Sequence, residues 1–285
     1  METRKIETLS IWDGSSDITW YNEKGNKFHI KTAAQLAGLA YLVNLGYKFK
    51  NETVYLDTDI DLNNNEWVPI GTETFRFLSI LRRKRFFSGT FDGQYHFIKN
   101  LTTNSSNYCH GLFGYVRGGT IKKIRLVDAC IKNDENFDDS NKYVGILVDR
   151  AEYSSILNSY TTGKIINGSK TILSLGGVVG FCQYDSKIIR CYSTAKINSN
   201  CSYEDKYARA GGICGGIEDT FISDCWFGGS INCNNDDLFI GGIIGIISNN
   251  KKTQIRINNC FIVLKYNKII KKKSCKESFI ANIDI

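Results

Sequence analysis

Alternating carboxylates are the first feature of this chain that could do chemistry. Asp57, Asp59 and Asp61 are spaced two residues apart, so a strand would present all three on one face. Three carboxylates on one face suit a hard cation such as Ca²⁺, but the glycine and closing glutamate of a calcium-binding EF-hand loop are missing. Aspartate is also common at chain reversals, where it accepts hydrogen bonds from nearby backbone N–H groups. We therefore assign no metal site and no cofactor.

Signatures of a catalytic centre are missing from the sequence. There is no His-Glu-x-x-His of a zinc peptidase, no Gly-x-Ser-x-Gly turn and no phosphate-binding glycine-rich loop. No Cys-x-x-Cys occurs, which argues against a zinc site. The histidines that could serve as ligands or bases are His29, His96 and His110.

Three other aspartates could take part in glycan cleavage. Asp92, or Asp138 with Asp139, could supply the paired carboxylates of a glycosidase, which stand about 5–10 Å apart. Asp92 is also explained by a turn, because Gly93 follows it and Asp-Gly is a strong turn pair. The sequence favours a protein without enzymatic activity, with a glycan-cleaving enzyme as the alternative.

A run of consecutive cations interrupts an apolar stretch at 75–87. Arg82, Arg83, Lys84 and Arg85 are bracketed by Phe, Leu and Ile. Such a patch could contact an acidic glycan, nucleic acid or an anionic lipid surface. The alternative is a solvated loop whose apolar residues fold back onto the body of the protein. Both interpretations stay open, and the run is a candidate binding site for an anionic ligand.

Aromatic residues in a polar N-terminal lead are a second candidate binding site. Trp12, Trp20 and Tyr21 lie within residues 1–27, beside Asp, Asn and Gly. Aromatic rings in such a setting can stack on sugar rings. The sequence favours the alternative, in which these rings pack over the open end of the folded body.

The elements that must position these residues are set by a repeat. Five near-copies of one phrase recur at spacings of 34, 32, 35 and 30 residues: Gly-Leu-Phe-Gly at 111–114, Gly-Ile-Leu-Val at 145–148, Gly-Val-Val-Gly at 177–180, Gly-Ile-Cys-Gly at 212–215 and Gly-Ile-Ile-Gly at 242–245. A second strand-like phrase follows each copy, as in Ile188–Tyr192, and a third follows several of them. A fixed period in this range indicates a solenoid.

The composition of each repeat selects the kind of solenoid. Runs of four to six residues rich in Ile and Val are separated by Gly, Asn, Asp and Ser, and no repeat holds a useful amphipathic helix. Three short strands per turn are typical of a parallel β-helix, whose coils stack at about 4.8 Å into one core. The sequence therefore predicts an all-β, single-domain parallel β-helix, right-handed by the usual crossover rule.

Equivalent repeat positions should form ladders. Tyr160, Tyr192, Trp226 and Phe261 share one position, and Ser159, Cys191, Cys225 and Cys260 lie one residue earlier. Ten cysteines could form disulfides. Stacked neighbours have parallel Cβ directions, however, which suit a disulfide poorly. We expect mostly free thiols, and which ladder lies inside is left open.

The rest of the chain should cap and flank the repeats. Thr32 as N-cap, Gln35 three residues later and Gly46 at the end predict a helix over 32–45. The helix has an apolar stripe that should cover the first coil. The stripe consists of Leu36, Leu39, Ala40 and Val43. The predicted segments are a polar lead at 1–27, a cap with the first coils at 28–110, the repeats at 111–267 and a basic tail or cap at 268–285.

These phrases resemble the GLUG repeat of bacterial surface proteins. The resemblance covers about residues 28–263, including the upstream phrases at 57–62, 67–71, 87–93 and 97–101, and the second repeat departs from it at Val148. Proteins of this kind include adhesins and accessory regions of immunoglobulin-cleaving metallopeptidases. Because the zinc-peptidase motif is missing here, the resemblance implies the fold and not the peptidase chemistry.

The sequence favours a non-enzymatic, adhesin-like binding module at a cell surface or outside the cell. Its partner would be a glycan or a host or surface protein, with an anionic ligand as a further option and no specific nucleic acid. No apolar signal segment or transmembrane stretch is read in the sequence, and the net charge is a mild +7. The alternatives are a polysaccharide-cleaving β-helix enzyme and a structural protein of a phage tail spike or particle.

Overall fold

The computed structural model describes residues 9–74, 83–104, 109–133, 143–168, 174–199, 209–233, 239–248, 256–262, 269–270 and 283–284. Within these ranges the chain is a parallel β-helix of about five turns with one helix near its N-terminus, as predicted. The buried apolar residues from Trp12 to Ile247 form one continuous core.

The strands that build the solenoid lie in four parallel sheets, which we number 1 to 4. Sheet 1 contains Ser10–Ile11, Ile60–Asp61, Phe97–Lys99, Thr102–Thr103, Arg125–Asn133, Tyr160–Asn167, Tyr192–Ser193, Lys196–Ser199, Trp226–Phe227, Ser230–Cys233, Phe261–Ile262 and Ile269–Ile270. Sheet 2 contains Lys27–Ile30, Thr53–Leu56, Thr90–Asp92, Thr120–Lys122, Ser155–Leu157, Ser186–Ile189, Thr220–Ser223 and Arg256–Asn258. Sheet 3 contains Phe113–Arg117, Val148–Glu152, Val179–Gln183, Cys214–Ile217, Ile244–Ser248 and Ile283–Asp284. Sheet 4 contains Tyr143–Gly145, Ser174–Gly176, Arg209–Gly211 and Phe239–Gly241.

From Tyr143 onward each repeat visits sheets 4, 3, 2 and 1 in that order, whereas the described strands of the first repeat lie in sheets 3, 2 and 1. Apolar residues at equivalent positions stack inside. In sheet 2 this ladder ends at the partly buried Ile257, and five members before it are fully buried: Phe91, Ile121, Ile156, Ile188 and Ile222. Such ladders extend one core through successive coils, so each coil is stabilised chiefly by its neighbours.

The predicted second phrase is not one strand, because it contains a corner. Ser186–Ile189 lies in sheet 2, whereas Tyr192–Ser193 lies in sheet 1. Arg190 between them is left-handed, with φ of 51°. The equivalent residues also have positive φ, which Asn and Asp tolerate better than other non-glycine residues: Lys123, Asn158, Asp224 and Asn259. The apolar residues of the phrase recur in every copy whether or not the chain turns between them. The repeat pattern therefore did not reveal the corner.

The N-terminal helix occupies Ala33–Leu45, and its predicted caps are confirmed. Thr32 Oγ1 accepts from Gln35 N at 3.2 Å, and Gly46 has φ of 123°. Gln35 Oε1 accepts from Lys31 N, one residue before the position expected in a capping box. All members of the predicted stripe are buried, namely Leu36, Leu39, Ala40 and Val43. The lead crosses this helix closely, since a Cβ on Gly38 would lie 2.0 Å from Asp17 O.

The glycines of the repeated phrase are required by two close approaches. A Cβ on Gly212, the first glycine of its copy, would lie 2.2 Å from the ring of Phe227, which enters from sheet 1. A Cβ on Gly215, the second, would lie 2.6 Å from Leu175 O in sheet 4. The two glycines therefore leave room for the Phe227 side chain and for the backbone of a neighbouring strand.

The predicted alignment of the second repeat is wrong by one residue. Val148, not Leu147, is in register with Phe113 and Val179, so the copy begins at Ile146 and its last position is Asp149. The physical reason is that Gly145 pairs with Gly176 as the end of a sheet 4 strand, and does not belong to the turn. A buried aspartate thus replaces the second glycine of the motif in this coil.

The thiol ladder lies inside the solenoid. Cys191 and Cys225 are fully buried, and none of the eight cysteines that the structure describes forms a disulfide. Burial raises the pKa of Cys182 to about 12, and the hydrogen bond between the thiols of Cys225 and Cys191 raises the pKa of Cys225. Both thiols therefore stay protonated and unreactive at neutral pH.

We expect denatured, unreduced protein to give at least eight reactive thiols out of ten, because the described cysteines are free. The native protein should react slowly, since the thiolate is the reactive form. Titration with a thiol reagent, with and without denaturant, measures both. Three or more disulfides in a peptide map would contradict the ladder.

The C-terminal segment joins the solenoid at two points. Ile269–Ile270 pairs with Ile231–Asn232, and Ile283–Asp284 pairs with Ile247–Ser248, so this segment adds strands to sheets 1 and 3. Most of the predicted basic tail at 268–285 lies outside the described residues. Among the described residues, no helix is long and apolar enough to cross a membrane.

Candidate ligand-binding surface

The aromatic ladder is on the outside of sheet 1. Tyr160 stacks on Tyr192 with ring centroids 4.3 Å apart, and Tyr192 stacks on Trp226 at 4.9 Å. Phe261 is in register with Trp226 and is half exposed. We call these four residues the aromatic stripe. Stacked rings cover one another, so the stripe presents ring edges along its length and the outer face of Tyr160 at one end.

A pocket of about 250 Å³ opens at the Tyr160 end of the aromatic stripe. Arg125 is in register with Tyr160 and occupies the same ladder position in the preceding coil. The pocket is lined by Tyr95, Ile124, Arg125, Asn158, Tyr160, Arg190 and Tyr192. We call it the stripe pocket. It combines ring surface with hydrogen-bonding side chains, which is the usual make-up of a small-ligand site.

Polar contacts order the walls of the stripe pocket. Arg190 Nε donates to Asn158 Oδ1 at 2.6 Å, across two coils at the corner of sheets 2 and 1. The Arg125 guanidinium lies 5.9 Å from the ring centre of exposed Tyr95. Burial and the neighbouring Tyr160 raise the pKa of Tyr192, while Arg125 lowers it. The Tyr192 hydroxyl therefore stays protonated at neutral pH and can donate or accept a hydrogen bond.

The alternating aspartates are engaged with neighbouring side chains. Asp57 Oδ2 lies 2.8 Å from His29 Nδ1, and Asp59 Oδ1 lies 3.0 Å from His96 Nδ1. Asp61 accepts from Asn63 N and Asn100 Nδ2, the corner role that the sequence favoured. Among the described residues, no group of three His, Cys, Asp or Glu side chains is placed to hold a metal ion.

The basic run lies partly outside the described residues. Arg82 is not described, and Arg83–Lys84 pairs antiparallel with Glu73–Thr74, so this insertion has a hairpin base. Exposed Lys84 lies 5.7 Å from the ring centre of Tyr115. Arg85 is half-buried, with its guanidinium against Gly46. Binding of an anionic ligand by this run stays a prediction.

Apolar residues beside the basic run fold back onto the solenoid. Phe87 is fully buried and bridges to Val116, and the ring of Phe86 packs edge-on against Tyr115 at 5.6 Å. This matches the alternative interpretation for Phe86 and Phe87, whereas Phe75 and Phe77 lie outside the described residues. It leaves the role of the cations themselves untested.

The aromatic residues of the lead pack onto the first coils. Trp12 is buried and meets Trp67 edge-on at 5.5 Å, lining a pocket of about 340 Å³ beside the helix. Trp20 and Tyr21 are partly buried against the core and contact Phe28. These contacts are the packing role that the sequence favoured, and ligand binding by the three rings stays a prediction.

The candidate catalytic carboxylates are not brought together among the described residues. Asp92 is buried and pairs with Lys122 at 3.2 Å, while its Oδ1 accepts from Gln94 N in the predicted turn. Asp138 and Asp139 lie outside the described residues. These contacts place Asp92 in the turn role that the Asp-Gly pair predicted.

The sequence contained a signal for the stripe pocket that we did not use. Aligning Ile121–Arg125 with Ile156–Tyr160 places Arg125 at the aromatic position of its coil. Tyr95 and the corner residues could not be found this way, because they join the pocket only when the coils stack.

Comparisons with known proteins identify a structural relative. No family model and no curated protein sequence matches this chain. Among solved structures it is similar to a candidate immunoglobulin A1 protease from Bacteroides ovatus, with a TM-score of 0.61 and 20% identity over 92% of this chain and 86% of that chain. The likeness supports the β-helix fold. At this identity it shows the fold alone, and the GLUG resemblance stays a prediction.

Proposed function

We propose that this protein is a non-enzymatic, adhesin-like module that binds a glycan on the outer face of sheet 1. The observation that carries the proposal is the aromatic stripe ending in the stripe pocket. Ring surface excludes water from the apolar face of a sugar, and nearby polar groups can bind its hydroxyls. A surface or extracellular location, as the GLUG resemblance implies, is part of this proposal.

The rigid scaffold supports a binding role. The rings of the aromatic stripe project from paired strands, and the corner residues at the pocket are tied by side-chain hydrogen bonds. Groups held by packed strands lose little conformational freedom when a ligand binds, so more of the contact energy appears as affinity. The name of the Bacteroides ovatus relative refers to a protease, but the zinc-peptidase motif is missing here, so we do not extend that activity to this chain.

Replacing both Tyr160 and Tyr192 by Ala should weaken glycan binding at least about tenfold, or 1.4 kcal/mol, because two pocket walls are lost. The screen is a glycan array on the full chain, followed by calorimetric titration of each hit. The matched control is Tyr153→Ala with Tyr184→Ala, a stacked exterior pair 5.2 Å apart at another corner. Equal losses in both variants, or no glycan bound by the parent protein, would overturn the proposal.

A further inference from the structure

We infer that the stripe pocket takes a sugar bearing an anionic substituent, a carboxylate or a sulfate ester, which Arg125 and Arg190 bind. This inference rests on the proposed glycan-binding function and names its ligand class. Both arginines line the pocket, and no carboxylate is among the residues that line it. The stripe pocket has a volume of about 250 Å³, which is below the roughly 300–1,000 Å³ of sites for drug-sized ligands. A pocket of this size matches a single sugar unit.

The charge of both guanidiniums is available to a ligand. Neither Arg125 nor Arg190 takes part in a salt bridge within the described residues. Asp92 pairs with Lys122 and Lys123. Asp224 accepts hydrogen bonds from Ser223 and Asn259, which lower its pKa, and the charge of Arg190 lowers it further without forming a direct ion pair among the described residues. An anion entering the pocket would therefore meet two cations whose charge is not already neutralised by direct ion pairs.

One of the two guanidiniums is held in place before a ligand arrives. Arg190 uses Nε to reach Asn158, which leaves its two terminal nitrogens as donors. The planar fork of arginine matches two oxygens of a carboxylate or sulfate, and ordering it in advance lowers the cost of binding. Arg125 is supported on the ring of Tyr95 and borders Tyr160, so a sugar could stack while its charged group is bound.

Arg190 also occupies a position that its side chain would not favour for folding alone. Its backbone is left-handed, where the equivalent corners of two neighbouring coils have Asn158 and Asp224. Asn and Asp visit that region more readily than long side chains do, although Lys123 also adopts it at the corner of the first repeat. The arginine therefore adds a donor fork at the pocket at a position where asparagine would fold more easily.

The test compares three polysaccharides on the full chain: polygalacturonate oligomers for the carboxylate, sulfated dextran for the sulfate and unmodified dextran as the neutral probe. Arg125→Gln with Arg190→Gln should lower affinity for at least one acidic probe at least about tenfold. The charge-matched control, Lys164→Gln with Lys196→Gln, removes two exposed cations outside the pocket and should change affinity less than twofold, or about 0.4 kcal/mol. The control is needed because a protein of net charge +7 attracts polyanions without a specific site.

The outcomes separate the inference from the proposed function. If only neutral glycans bind, and Tyr160→Ala with Tyr192→Ala weakens them, the proposed function holds and the anionic ligand is wrong. If both glutamine pairs weaken acidic probes equally, binding is unspecific charge attraction and the inference is overturned. Which acidic probe responds shows whether the group is a carboxylate or a sulfate. Arg125→Lys with Arg190→Lys should restore only part of the affinity, since lysine keeps the charge and loses the fork.

Discussion

Ile243→Asp should lower the free energy of unfolding by at least about 4 kcal/mol, the largest effect we expect from one substitution. Ile243 is fully buried at the turn between sheets 4 and 3, and Ile213 N donates to its carbonyl. The equivalent residues of the other copies are also fully buried: Leu112, Leu147, Val178 and Ile213. An aspartate side chain at this position would lose its hydration and would have no cation nearby in the apolar ladder. The protein would also lose the packing contacts of the isoleucine side chain.

The damage should reach beyond the substituted coil, because neighbouring coils share one core. Thermal unfolding followed by circular dichroism should show a fall in melting temperature of about 10 °C. Hydrogen exchange should show lost protection at Val179–Gln183 as well as in the altered repeat. The matched control is Ile11→Asp, since Ile11 is 63% exposed and should tolerate the same change. An unchanged melting temperature for Ile243→Asp would place this residue outside the core.

Asp149→Ala should cost about 3–5 kcal/mol, the second largest effect, because it removes the acceptor of three buried backbone N–H groups. The Asp149 carboxylate accepts from His110 N at 2.7 Å and from Gly111 N and Gly145 N at 3.0 Å each. These donors belong to two successive coils, and Asp149 itself is fully buried. Alanine would leave all three N–H groups without their acceptor, where each costs about 1–3 kcal/mol. Urea denaturation of the parent and variant proteins measures the difference.

Asp149→Asn is the graded control, since it keeps one acceptor oxygen and should cost clearly less than Asp149→Ala. Burial raises the pKa of Asp149 to about 7, although the charge of His110 and the three N–H donors lower it. The folded pKa is above the unfolded value of 3.8, so the contribution of this carboxyl is greatest below about pH 4 and declines as the pH rises through 7. The stability advantage of the parent protein over Asp149→Asn should shrink over that range. Equal stability of all three proteins would show that the donors find other acceptors.

The features that the sequence determined are those that repeat or that depend on close neighbours in the chain. The spacing of the glycine phrases and their Ile and Val runs predicted a parallel β-helix, because each coil must present the same residues to the same core. The helix at Ala33–Leu45 was found from Thr32, Gln35 and Gly46, because capping contacts join residues only a few positions apart. The same repeat predicted that most cysteines are free thiols, because the parallel stacking of equivalent residues disfavours disulfides.

Only the tertiary structure decided the register of the second repeat, the corners and the stripe pocket. Gly145 and Ile146 both suit the start of the phrase, and the choice depends on the pairing of Gly145 with Gly176 in a neighbouring coil. Tyr95, Asn158 and Arg190 meet at the stripe pocket although 95 positions separate the first from the last. Loops of unequal length between the coils shift the sequence spacing without shifting the strands. Register in a stacked sheet is fixed by hydrogen bonds and side-chain volume between distant residues, and a local pattern cannot contain that information.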